Sequence, residues 1–499
     1  MPAEKRKNDE DEIYHKKLLK DNSNSSSEES ISSKSIFAQC LVTGAVMLSS
    51  ASCGMPTGYS AILLPQLKST NGTLQIDDNI GSWIASVHSA STPLGSLLSA
   101  VLMEKVGRKL TLQVSAVPLI VGWLLIAFAQ SHNAILLGRL IAGMSAGLTA
   151  APGQVLIGEI SEPHVRGIFT SVPFASYSFG ILLVYALGSW FDWRLVAGSS
   201  TLLPLIAATL FFVLPESPVW LVKKNRDEDA KRALVWLRGG NNIQAKQELQ
   251  QLVSRIDSQQ NPGNSKSAWK QMLEPRVIKP FIILNIFNIM QIFSGTYLIV
   301  FYAVDILSNI SGGEIDHFLA AVLTACVRFI FTIVASILLA FVGRRTLALA
   351  SGIGTGISAL CLGTFLYFQA DCSGSGYFAA FCVLIYVAAN TIGFMILPGV
   401  LLGELYPANI RGFIGGLTFT SFNFILFVIT KVFPLIRDLI GVHGVFWVFS
   451  LSSFFASIFL YLMLPETKGK TLEEIEDYFG QKNILWVVNN NKSSKLPNA

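Results

Sequence analysis

The chain has 499 residues, of which 51% are hydrophobic and only 14% charged, with a net charge of +5. A typical soluble domain carries roughly 25% charged residues, so this balance excludes a disordered protein, a coiled coil and an ordinary cytosolic enzyme. With a mean hydropathy of +0.51, the composition points to an all-α polytopic membrane protein. The six cysteines make no disulfide framework. Cys40, Cys53, Cys326, Cys361 and Cys382 fall in apolar runs and read as small packing residues, while Cys372 falls in a loop.

Residues 1–35 are polar and serine-rich and read as a disordered tail. No cleavable signal peptide is expected, because the first apolar run is long enough to stay in the membrane. Apolar runs of about 20 residues then recur, the length that a bilayer-spanning helix needs. They predict twelve spans, at 36–60, 82–103, 110–130, 134–158, 168–190, 194–214, 277–303, 317–341, 346–369, 377–402, 411–436 and 442–464. The expected domains are an N-terminal six-helix bundle (36–214), a linker (215–276), a C-terminal six-helix bundle (277–464) and a second tail (465–499).

Charge sets the expected orientation. Of the 37 lysines and arginines, only Lys68, Arg139, Arg194, Arg328, Lys431 and Arg437 fall outside the tails and the loops on the tails' side. Cytoplasmic loops carry the basic excess, so both termini are expected in the cytoplasm of a multi-pass plasma-membrane protein. The basic residues then mark topology and not a nucleic-acid footprint. Asn71, in Asn71-Gly72-Thr73, falls in the first outside loop and is an expected glycosylation acceptor. In the linker, residues 227–239 space Ala230, Leu234 and Leu237 helically and end at Gly239-Gly240, which predicts an amphipathic helix. It is either a solvated linker helix or part of a gate.

The two halves carry matching punctuation. Gly107-Arg108-Lys109 after span 2 is answered by Gly343-Arg344-Arg345 after span 8. Glu159 ending span 4, with Arg166-Gly167 beyond it, is answered by Glu404 ending span 10, with Arg411-Gly412 beyond it. Pro215-Glu216-Ser217 after span 6 is answered by Pro465-Glu466-Thr467 after span 12. Three motifs repeating at nearly one interval indicate a duplication. Two six-helix repeats around a central linker are the plan of a carrier that rocks its halves about a midplane site. No Walker loop, metal-ligand spacing or nucleophile motif is present, so neither an enzyme nor a cofactor or metal site is expected.

These motifs also carry a resemblance. Pro215–Leu221 (PESPVWL), 465–474 (PETKGKTLEE), Gly138-Arg139, Gly95 with 104–109 (EKVGRK), and Gln291, Ser294-Gly295 and Phe301-Tyr302 in span 7 resemble a sugar porter of the major facilitator superfamily. The chain is most similar to the insect facilitated trehalose transporter-like branch. The resemblance covers roughly residues 36–480. It implies two pseudo-symmetric six-helix bundles and a monomeric carrier, working in the lipid bilayer by alternating access on a small sugar, trehalose or a hexose. It further implies a cytoplasmic ion-pair lock of Arg108, Glu159, Arg166, Arg344, Glu404 and Arg411, and an aromatic gate of Phe301 and Tyr302. Where the family has an acidic and a basic residue before Gly343-Arg344, this chain has Ala340-Phe341, which predicts a weaker C-terminal lock.

Neutral amides and hydroxyls on apolar helices are candidate sugar ligands, or interhelical hydrogen-bond partners. Gln154, Asn285, Asn288, Gln291, Asn390, Thr391 and Asn423 form the candidate set, with Tyr297 beside them in span 7, and Pro398 marks a point where span 10 can bend. Of these, the resemblance assigns a sugar-contacting role to Gln291. Several neighbouring sugar positions of the family are replaced, by Ile292, Tyr297 and Phe174 among others. Arg328 is the sharpest departure, standing mid-span where the family carries a sugar-contacting Asn. It reads as a donor to substrate hydroxyls or to an anionic substrate, as a structural partner of Asp305 or Glu314, or as a snorkelling side chain. Residues 36–67 contain no acid, which favours facilitated diffusion over proton symport. The rival readings are a carrier of a non-sugar, even anionic, organic solute and a non-transporting sugar sensor on the same scaffold.

Overall fold

The computed structural model describes residues 33–69, 74–259, 272–311, 316–368, 375–407, 410–470 and 472–481. Asn71, Glu314 and Cys372 lie outside the described residues, as does most of the first tail. Among the described residues the elements are helices and no strand occurs. Among the described residues, ten helices are long and apolar enough to cross a membrane. One of them, Arg411–Met463, has 53 residues and turns at Gly441, whose φ of +70° suits glycine, so it supplies both span 11 and span 12. Asp78–Val106 supplies span 2 although it is less apolar. Its Ser82, Ser86, His88, Ser89, Ser91 and Thr92 are buried against other helices, while Leu94, Leu97, Leu98 and Val101 are exposed, the pattern of a lipid-facing stripe. Twelve spans result, as the hydropathy pattern predicts.

Several predicted spans differ in detail. Span 1 is longer, Ser33–Ser69. Span 6 is two helices, Trp193–Ser199 and Leu202–Val213. Span 7 is not one helix over 277–303. It runs Pro275–Phe293, breaks, makes one turn at Leu298–Phe301 and resumes as Ala303–Ser311. The break falls at Gly295, whose φ is +84° and whose Cβ position is filled by the Phe449 ring and the Tyr386 hydroxyl. Span 10 runs Ser375–Asn390, loosens into a π-helix at Thr391–Met395, and continues as Leu397–Leu405. Pro398 has no N–H to give, which frees the carbonyl of Phe394 one turn back.

Small residues set the helix spacing within a half. Spans 2 and 4 touch backbone to backbone. A Cβ at Gly147 would lie 2.1 Å from the Thr92 carbonyl oxygen, and one at Gly95 would lie 1.9 Å from that of Met144. Such small-residue contacts replace the hydrophobic driving force that lipid does not supply. Gly147→Val therefore has to push two backbones apart. We expect a loss at or above the ~1–3 kcal/mol of ordinary overpacking, seen as a lowered thermal midpoint and an aggregated profile on size-exclusion of the detergent extract. The two halves meet where span 2 lies along span 11 and span 5 along span 8, with span 1 against the broken part of span 7.

The linker helix predicted at 227–239 is present as Asp227–Leu237. It is docked and not freely solvated: Ala230, Leu234 and Leu237 are buried. Arg238, just past its end, donates to Glu248 at 2.7 and 2.8 Å and to the Ile160 carbonyl at 3.2 Å. Ser35 at the start of span 1 donates to the Leu237 carbonyl and to Glu162. The linker thus belongs mechanically to the N-terminal half. The five described cysteines are free. Cys53 and Cys382 are buried and Cys326 is half-buried, but Cys40 and Cys361 are exposed, unlike the interior packing residues that all five are expected to be.

Candidate functional site

The breaks in spans 7 and 10 face each other, and one hydrogen-bonded network joins them. Gln291, the last turn of span 7 before its break, donates Nε2 to the Phe394 carbonyl at 2.6 Å, the carbonyl freed by Pro398. Its Oε1 is buried with no partner among the described residues. Ser294 donates to the Gln291 carbonyl at 2.7 Å and lies 3.1 Å from the Thr296 hydroxyl. Asn390 donates Nδ2 to Ser294 Oγ at 3.3 Å, and its Oδ1 is also buried without a partner among the described residues. Tyr386 donates its hydroxyl to the Ser294 carbonyl. From span 9, Ser351 accepts the Phe394 N–H at 3.0 Å and steadies the π-helix. Discontinuous helices of this kind expose backbone polar groups at membrane depth and build binding sites there.

Arg328 enters the same network from span 8. It is 3% exposed. Nη2 donates to the Thr296 carbonyl at 3.0 Å and Nη1 to Met395 Sδ at 3.3 Å. Tyr177, Tyr185, Tyr297 and Tyr386 lie within electrostatic reach. Among the described residues no carboxylate is within ion-pair distance of it. The pairing with Asp305 fails because Asp305 is engaged by Arg437 near the far end of span 7. Snorkelling fails because the guanidinium is turned to protein carbonyl and sulfur.

The other candidates are distributed as follows. Tyr297 lies at the break, half-buried, edge-on to Phe422 with centroids 5.3 Å apart. Asn423 follows on span 11 and gives Nδ2 to the Phe419 carbonyl of its own helix at 2.9 Å. Thr391 is in the π-helix, fully buried, its hydroxyl given to the Val387 carbonyl at 2.7 Å. Gln154 is half-buried on span 4 and is not part of the network. Phe301 and Tyr302 are buried beyond the break. Tyr302 donates to the Thr430 carbonyl of span 11 at 2.9 Å, its ring 4.9 Å from that of Phe433. Next to them, Tyr185 of span 5 donates to the Val300 carbonyl at 2.6 Å and so joins the halves. Sequence reasoning missed Ser294, Thr296, Tyr386 and Met395. A Gly flanked by Ser and Thr in an apolar span was the available signal for the first two.

The lock residues form two matching clasps on the face that carries the tails. Arg108 Nη2 meets Glu159 at 2.8 Å, and Arg344 Nη2 meets Glu404 at 2.8 Å. Glu216 accepts the N–H of Arg108 and Lys109 at 3.0 Å, and Glu466 accepts those of Arg344 and Arg345 at 2.8 and 3.2 Å. Each glutamate thereby satisfies orphan donors at a helix start, where a negative charge is favoured. Ser217 and Thr467 complete the clasps by donating to Glu159 and Glu404. Arg344 reaches Glu404 through Nε as well as Nη2, so the second clasp forms despite Ala340-Phe341. Arg411 donates to the Tyr406 carbonyl at 2.9 and 3.1 Å instead of to an acid. The side chain of Arg166 lies outside the described residues.

A family model described as sugar (and other) transporter matches residues 15–479. The chain belongs to that family. It is 34% identical over 446 residues to the facilitated trehalose transporter Tret1 of Bombyx mori, covering 88% of this chain and 86% of that protein. The counterpart in Culex quinquefasciatus is 34% identical over 449 residues, covering 89% and 86%. Among solved structures, the xylose transporter XylE from E. coli in a partially occluded inward-open conformation superposes with a TM-score of 0.73 at 21% identity, over 87% of this chain and 99% of that one. XylE bound to 6-bromo-6-deoxy-D-glucose gives 0.73 at 22% identity, over 88% and 99%. The fold is that of the major facilitator superfamily. The family member is a multi-pass membrane transporter and not an enzyme.

Proposed function

We propose that the chain carries a sugar, trehalose or a hexose, by alternating access and without a coupled ion. The observation that carries this reading is the facing pair of helix breaks, at Gly295 and at Thr391–Met395, with bare amide oxygens on Gln291 and Asn390. Sugar hydroxyls are donors suited to those oxygens, and Tyr297 and Phe422 offer ring faces for C–H surfaces. Gln154, Thr391 and Asn423 would join as the cavity opens. Phe301, Tyr302 and Pro398 would serve as gate and hinge. In this reading the bundles 36–214 and 277–464 rock about the site, and the clasps of Arg108–Glu159 and Arg344–Glu404, with Arg166 and Arg411, hold the cytoplasmic ends. Both termini are cytoplasmic, the membrane is the plasma membrane, the working unit is a monomer, and Asn71 is glycosylated outside. Span 1, Ser33–Ser69, contains no Asp or Glu to carry a proton.

The test is uptake of labelled trehalose and glucose into proteoliposomes of the pure protein with no pH gradient. Saturable uptake that stops at equal concentrations is expected, and its rates rank the two sugars. Uptake no faster than in protein-free vesicles, with folded and inserted protein, would sink the reading.

A further inference from the structure

Among the described residues, one cation and two acceptor atoms of the midplane network lack the partner their chemistry calls for. Arg328 is a buried cation held by a carbonyl and a thioether, both neutral, and thioether sulfur is a weak acceptor. Gln291 Oε1 and Asn390 Oδ1 are buried acceptors without a donor. The three belong to one connected set. Arg328 binds Thr296, Thr296 meets Ser294, Ser294 is bonded by Asn390, and Gln291 is bonded by Ser294. A charge at membrane depth is costly and needs a countercharge or a carbonyl cage. Buried acceptors need donors. One ligand answers both needs if it carries an anionic group and hydroxyls together.

We propose that this site takes a sugar acid, a polyhydroxylated monocarboxylate, as a further substrate. Its carboxylate lies on Arg328 and its hydroxyls on Gln291 and Asn390. The inference rests on the carrier reading of the same site. A guanidinium pairs a carboxylate through two parallel N–H bonds, which fixes orientation as well as charge. One guanidinium balances one negative charge, so a carboxylate fits and a phosphate dianion would leave a buried negative charge over. A neutral sugar satisfies the amides and leaves the cation as it is. Each completed cycle moves one net negative charge, since the empty carrier returns with Arg328 bare.

The test uses proteoliposomes of the full chain with D-glucuronate as the probe and D-glucose as the neutral reference. A potassium gradient with valinomycin makes the lumen positive. We expect labelled glucuronate to accumulate at least threefold above its level at zero potential, with glucose indifferent to the potential. Unlabelled glucuronate should also inhibit glucose uptake by the unaltered protein, a readout that needs no variant. Arg328→Gln should lower the ratio of glucuronate to glucose rates at least tenfold, and Arg328→Lys should lower it less. Glucose uptake without glucuronate uptake or inhibition would overturn the inference and leave the carrier reading standing. An unchanged ratio in Arg328→Gln would overturn it too. Uptake of neither compound would overturn the carrier reading itself, and the inference with it.

Discussion

Replacing Arg139 by alanine is expected to leave almost no folded carrier. The side chain is 1% exposed at the crossing of three spans. From span 4, Nε donates to the Ile84 carbonyl of span 2 at 2.8 Å, and Nη1 to the Pro56 carbonyl of span 1 at 2.7 Å. Nη2 adds Ser60 on span 1 and the Ala85 carbonyl at 3.4 Å. The guanidinium fork matches acceptors that diverge in several directions, which an ammonium on a thin stem does not. Truncation strands these acceptors in an apolar interior at about 1–3 kcal/mol each. Four acceptors at that cost come to about 4 kcal/mol at the low end, comparable to breaking a buried pair and to much of the ~5–15 kcal/mol that holds a typical protein folded. Arg139→Lys should fail almost as badly. Fluorescence-detected size-exclusion of detergent extracts, with a thermal ramp, checks both variants. A wild-type profile and midpoint for Arg139→Ala would show that water replaces the guanidinium at no cost.

That clamp was half legible in the sequence. Gly138-Arg139 stood out only as part of a family pattern, and nothing in a linear string says that one arginine binds two other helices. The fold itself was legible, because hydropathy runs and a repeated set of Gly-Arg, Glu and Pro-Glu motifs report physics local to each helix end. The structure turns those repeats into contacts. A Cβ on Gly107 or Gly343 would meet the carboxylate of Glu216 or Glu466 at 2.3 or 2.2 Å, so each glycine makes room for the glutamate that caps the next helix. The site was less legible for two reasons. Side chains singled out as ligands, Thr391 and Asn423, spend a donor on a carbonyl of their own helix, an option open to short polar side chains on any helix. The interruptions that create the site depend on tertiary packing. Gly295 is hemmed in by the Phe449 ring and the Tyr386 hydroxyl from other spans, and the carbonyl freed by Pro398 is claimed by Gln291 from span 7. The alternative that paired Arg328 with Asp305 fails for the same reason. Proximity along span 7 and span 8 said nothing of Arg437 on span 11, which takes that acid.

The charges that broke the topology pattern lead to the second large effect. The clasps on the tail face act within each half. Among the described residues, the ion pairs that join the two halves lie on the far face. Arg437 of span 11 is 3.8 Å from Asp78 of span 2, and Lys68 of span 1 is 4.0 Å from Asp305 of span 7. Lys431 of span 11 donates to Asn79 at 2.8 Å and to Ser82 at 2.7 Å on span 2, and stands 4.6 Å over the Trp83 ring. Three of the six basic residues outside the tail-side loops are therefore a latch and not errors of orientation. Each partly exposed contact is worth about 0.2–1 kcal/mol. Together they bias two packings of the halves by about 1–2 kcal/mol, and about 1.4 kcal/mol is a tenfold population change.

Arg437→Gln should act most strongly, because it leaves Asp78 and Asp305 sharing the charge of Lys68. Opening on the far face should rise roughly tenfold. Adding Asp305→Asn should recover much of the closed population by removing the repulsion. High salt should open the unaltered protein in the same direction, since screening shortens the reach of charges to about 3 Å at 1 M. Spin labels at Trp190 and Leu439, 82% and 74% exposed, read the far-face separation in a cysteine-depleted background. Distance distributions that ignore both Arg437→Gln and salt would mean that packing alone, Trp83 against Phe427 and Tyr185 on the Val300 carbonyl, keeps this face shut.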